Sequence, residues 1–111
     1  MSSVDDGLVA ARVLYIDDCP NWQSARDRLR LALDRLGHAD VPISDVQVET
    51  QDEASATGFA GSPTILVDGR DLFPPPTAWT GGLACRLYRT PAGIAGVPRV
   101  EDLMSALSER V

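Results

Sequence analysis

The chain has 111 residues and a mass of 11.9 kDa, the size of one hydrophobic core rather than two. Apolar residues make up 44% and charged residues 23% of it, a balance that excludes disordered, fibrous and disulfide-stapled classes. Ten arginines, no lysine and sixteen acids leave a net charge of −6, so the field repels phosphate backbones and anionic lipid, and neither nucleic acid nor a membrane is expected as a partner.

The chain begins Met1-Ser2-Ser3-Val4-Asp5-Asp6, acidic where a secretory leader is basic and then apolar, and residues 1–10 read as a flexible tail to a single domain spanning 1–111. No apolar run approaches the roughly 18–20 residues of a membrane span, and a cytoplasmic location is expected. Arg12-Val13-Leu14-Tyr15-Ile16-Asp17 is a short uninterrupted apolar run and predicts a strand buried on both faces. Pro20 suits the first position of a helix, which places Cys19 at the N-cap and extends the helix to about Leu36, before Gly37. Within it Trp22, Ala25, Leu29, Ala32, Leu33 and Leu36 recur at steps of three and four, one apolar stripe on an otherwise charged helix.

Asp45-Val46-Gln47-Val48-Glu49 alternates, as a strand at a sheet edge does. Thr50 and Glu53 form a capping box opening a short helix that ends near Gly58. Thr64-Ile65-Leu66-Val67 is a second uninterrupted strand, and Asp68-Gly69 suits a tight hairpin turn. The returning strand is either Arg70 to Phe73 or Cys85-Arg86-Leu87-Tyr88; both stay open. Residues 74–83, with three prolines, Trp79 and two glycines, read as one loop, and Pro91 to Pro98 as another. Val100, Leu103, Met104, Leu107 and Val111 then mark a closing amphipathic helix. Two parallel strands joined by a helix, followed by a hairpin, predict an α/β domain with a four-stranded mixed sheet of order 2-1-3-4 flanked by helices.

Two cysteines, Cys19 and Cys85, exclude a zinc site built from paired cysteines and allow at most one internal disulfide. His38 is the only histidine and lies beyond the far end of a helix that, at about 17 residues, is about 25 Å long, so it cannot serve Cys19 as a base. No phosphate loop or calcium loop is present, and no metal or cofactor is implied. At Cys19 the start of a helix favours the thiolate, while Asp17 and Asp18 oppose it.

A buried strand, then Asp-Asp-Cys-Pro at a helix start, then Gly-Ser-Pro-Thr opening a later strand, resembles the thioredoxin-like superfamily over nearly the whole chain. The match is nearest to small bacterial single-domain thioredoxin-like proteins, some carrying selenocysteine and some labelled alkylmercury-lyase-like. The resemblance implies a cis Ser62-Pro63 bond whose backbone faces an extended substrate beside a catalytic Cys19; Pro20 and Trp22 are candidate substrate-binding residues next to it, Trp22 as a core anchor or pocket wall rather than a catalyst. This chain departs from the motif: Cys19-Pro20-Asn21-Trp22 puts an indole where the resolving thiol belongs. Exchange then proceeds through Cys19 alone or with Cys85 as the resolving thiol, its thiolate favoured by Arg86, and the expected partner is a protein or a low-molecular-weight thiol. Two other readings stand beside it. One is a redox-inactive binding module using the Ser62-Pro63 edge, and the other a thiol-based handler of mercury or another soft metal.

Overall fold

A strand apolar on both faces needs cover on both sides, and the computed structural model, which describes residues 8–75, 82–91 and 93–109, places both such runs in the middle of a sheet. The central strands are β1 (Ala11–Tyr15) and β3 (Thr64–Val67), and the edges are β2 (Ile43–Gln47) and β4 (Arg70–Asp71). The order is β2-β1-β3-β4, the expected one. β2 runs parallel to β1, Ala11 facing Ile43. β3 runs antiparallel to β1, and β4 antiparallel to β3.

Side chains alternate between the two faces. Ala11, Val13, Ile65 and Val67 point to one side, where they pack with Ala25, Leu29 and Leu33 of α1 (Trp22–Arg35) and with Leu103 and Leu107 of α3 (Val100–Ser108). Leu14 and Leu66 point to the other, where Ala54 of α2 (Gln51–Thr57) and Phe59 cover them.

Element ends depart from the sequence reading where tertiary hydrogen bonds take over. β1 stops at Tyr15 rather than Asp17 because the Ile16 amide donates to Ser62 Oγ at 3.1 Å and the Ile16 carbonyl accepts from the Cys19 amide at 3.1 Å. β2 starts two residues early because its register follows β1, whose Ala11 amide donates to Pro42 O. At the hairpin, Asp68 and Gly69 take φ of 53° and 84°, the double left-handed conformation of a type I′ turn. The Asp68 carboxylate also accepts from the amides of Val9 and Ala10; residues 1–7 of the expected tail lie outside the described residues.

Thr50 caps α2 as expected, its hydroxyl accepting from the Glu53 amide at 3.1 Å, while the Glu53 carboxylate reaches back to the Glu49 amide at 2.7 Å. The Arg30 guanidinium donates to three carbonyls of the following turn, those of His38, Ala39 and Val41. Of the expected stripe on α3, Val111 lies outside the described residues.

The open choice of a returning strand resolves to Arg70–Asp71. The stretch from Pro91 to Pro98 is not all loop: β5 (Tyr88–Thr90) and β6 (Gly93–Ala95) form a separate two-stranded hairpin. Its strands are three residues each, too short to show a hydrophobic period. Trp79 lies outside the described residues, as do its neighbours from 76 to 81. Among the described residues no helix is long and apolar enough to cross a membrane.

Candidate functional site

Past β1 the chain makes a tight turn from Ile16 to Cys19 and enters α1 two residues later than expected, with Asn21 at the cap. Trp22 fixes that start: its indole stacks on Tyr15, the last residue of β1, with ring centroids 4.0 Å apart and planes 12° from parallel. Cys19 is therefore not the N-cap residue. It is tucked inside the turn with 5% of its surface exposed, whereas Asp17, Asp18 and Pro20 are exposed. Trp22, half-buried, is a packing residue at the helix start.

The Ser62-Pro63 bond is cis. Ser62 is fully buried, and its backbone is not open to an incoming strand. The Ser62 amide donates to Ala84 O and the Ser62 carbonyl accepts from the Arg86 amide, both at 2.9 Å. The protein's own segment thus fills the edge expected to receive substrate, and Cys85 pairs with Ser62 in a single parallel bridge. A two-residue β4 leaves room for this, because the sheet edge beside Ser62 has no strand of its own to cover it.

From 85 to 89 exposed residues alternate with buried ones: Cys85, Leu87 and Arg89 outward, Arg86 and Tyr88 inward. This is the period of an extended chain, and it corrects one expectation. Neighbours on such a chain point to opposite faces, so the Arg86 guanidinium does not attend Cys85. It pairs instead with Asp71 at 2.8 Å, donates to Phe73 O, and lies 4.7 Å from the centre of the Tyr88 ring. Both members of the ion pair are largely buried, with side-chain exposures of 7% and 13%. Tyr88 donates its hydroxyl to Pro63 O at 2.5 Å and meets Phe73 edge-on at 5.5 Å. Burial pushes the Tyr88 phenol well above its ordinary value, with Asp71 and Cys19 adding to the shift and Arg86 opposing it. Tyr88 thus stays protonated and donating.

Three contacts connect the two cysteines. The Cys19 amide holds Ile16, the Ile16 amide holds Ser62, and Ser62 pairs with Cys85. Thiols 66 positions apart in sequence come to the same end of the sheet, both of them free, Cys19 buried and Cys85 exposed. Cys85 opens onto a groove of about 620 Å³ whose walls include Phe73, Pro74, Leu87 and Tyr88. His38, past the far end of α1, takes no part, and among the described residues no group of three or more His, Cys, Asp or Glu side chains gathers as a metal site.

Sequence reasoning missed Tyr88, Asp71 and Arg89. The two-residue step from Arg86 to Tyr88 was a usable signal, since it puts a cation and an aromatic on one face of any extended segment. Asp71 gave no such signal; it is recognisable only once the hairpin brings it to Arg86. No protein family, curated protein or solved structure matches this chain.

Proposed function

We propose that the chain is a thioredoxin-like thiol-disulfide exchange protein in which Cys85 and Cys19 act as a pair. The mixed sheet of order β2-β1-β3-β4 with α1 following β1 supports that fold. The observation that carries the function is the three-contact connection from Cys19 through Ile16 and Ser62 to Cys85. The exposures reverse the order of events expected from the motif, because an external disulfide reaches Cys85 and not Cys19.

The Cys85 thiolate attacks one sulfur of a substrate disulfide, forming a mixed disulfide and expelling one substrate thiolate. The Cys19 thiolate then attacks the Cys85 sulfur and expels the second. The substrate gains two electrons and leaves as two thiols, the protein holds a Cys19–Cys85 disulfide, and two molecules of a low-molecular-weight monothiol reduce it again, the first forming a mixed disulfide and the second displacing it as the monothiol's own disulfide. Trp22 has no place in this cycle beyond holding the start of α1.

The test is stoichiometric. Reduced protein given excess dithiobis(nitrobenzoate) should release two equivalents of thiolate and keep no adduct, while Cys19→Ser should release one and keep the adduct. Retention of an adduct on the wild type would instead favour a redox-inactive module, which the stacked Trp22 also suits, but not one that binds through the Ser62-Pro63 edge, because the chain itself fills that edge.

A further inference from the structure

The segment beside Ser62 carries three outward side chains in a row, a thiol at Cys85, an apolar group at Leu87 and a cation at Arg89. Extended chain advances about 6.5–7 Å per two residues, so the row spans about 13 Å of backbone from Cys85 to Arg89. All three line the same groove, about 620 Å³ in volume, within the range of about 300–1,000 Å³ that holds small ligands. The chemistry of the walls is specific. Phe73, Pro74 and Pro75 add apolar surface, among the described residues no carboxylate lines the groove, and the Arg86 charge is already paired with Asp71. Arg89 has no ion-pair partner among the described residues. A protein of net charge −6 therefore presents, beside its exposed thiol, an apolar slot ending in an uncompensated cation.

We propose that this groove selects small disulfides carrying an aromatic group and a carboxylate, the ring lying against Leu87 and Phe73 and the carboxylate meeting Arg89 while Cys85 attacks the sulfur. This names the substrate class for the thiol-exchange reading and rests on it. Attack by the Cys85 thiolate forms the Cys85–substrate bond, breaks the substrate disulfide and releases one carboxylated aromatic thiolate. The disulfide itself is the oxidant.

Three disulfides separate the contributions: dithiobis(nitrobenzoate), aromatic and anionic; dithiodipyridine, aromatic and neutral; and cystamine, aliphatic and cationic. Rates of thiolate release are followed by stopped flow on the full chain. Arg89→Gln should slow the anionic aromatic about threefold, the size of a partly exposed ion pair, and leave dithiodipyridine unchanged. Arg89→Lys should restore most of that rate, and added salt should shrink the difference between wild type and Arg89→Gln. Leu87→Ala should slow both aromatic probes and not cystamine. Both positions are exposed, so the variants keep the fold. Equal slowing of all three probes by Arg89→Gln, or none, would overturn the substrate class. The yield of thiolate per protein is a separate readout: two equivalents with no selectivity defeats only this inference, whereas one equivalent with a retained adduct defeats the exchange pair itself.

Discussion

The two cysteine regions meet at Ser62 but are built in opposite ways. The Cys19 turn is clamped from within: Trp22 stacks on Tyr15, the Ile16 carbonyl holds the Cys19 amide, and Cys19 is buried, with 5% of its surface exposed. The Cys85 segment is pinned from beneath, by Arg86 and Tyr88, so that its other face stays open. Alternation is what lets one stretch do both. Buried charge and phenol fix the segment while thiol, leucine and arginine remain accessible. One thiol is confined and the other is presented, the arrangement an exchange pair needs if one sulfur meets substrate and the other resolves it.

The comparison breaks most severely at the pin under Cys85. Asp71→Asn leaves a buried guanidinium unpaired and should cost about 3–5 kcal/mol, read as a lowered urea midpoint. Replacing both partners with apolar residues should recover much of it, because the desolvation cost of the pair disappears too. Next in size is the clamp over Cys19. Trp22→Ala removes the stacked ring and should cost about 3 kcal/mol, while speeding iodoacetamide labelling of Cys19 far more than that of Cys85. Equal acceleration of both thiols would mean the two regions open together.

Ser62→Ala cuts the contact the regions share. It strips the partly buried Ile16 amide of its acceptor, a loss of about 1 kcal/mol, and should slow Cys19–Cys85 disulfide formation. The smallest effect is pH-dependent. Tyr88→Phe should cost about 1 kcal/mol at neutral pH through the lost bond to Pro63 O. The folded-state value of Tyr88 lies above the ordinary 10.0 of the unfolded chain. Its contribution is therefore complete below pH 10.0 and is lost as pH rises beyond it, because the unfolded chain ionises first. Melting temperatures of wild type and Tyr88→Phe should converge above that pH; a constant gap would contradict the burial argument.

Much of the sheet was legible because its signals are local. Two uninterrupted apolar runs marked the centre, the Val46 and Val48 alternation marked an edge, and Asp68-Gly69 marked the turn. The α2 cap was legible for the same reason, Thr50 and Glu53 lying three residues apart. The site was legible only in its parts. Cys19, Cys85, Ser62 and Pro63 stood out, but the exposure of Cys19 depended on where Trp22 found a stacking partner, and the role of Arg86 on an aspartate fifteen residues earlier. That Ser62 accepts the chain's own segment follows from hydrogen bonds to residues 84 and 86 that no local pattern encodes.

The pairing of the two thiols is tested most directly by digesting oxidised protein with trypsin without reduction, after one stoichiometric dose of a small disulfide. Cleavage after arginine separates a peptide from Val13 to Arg26 carrying Cys19 from one spanning Asp71 to Arg86 that carries Cys85. The pairing predicts a single species in which these two peptides are joined by a disulfide and no probe remains. Separate peptides, with the probe on Cys85 and a free thiol on Cys19, would contradict it.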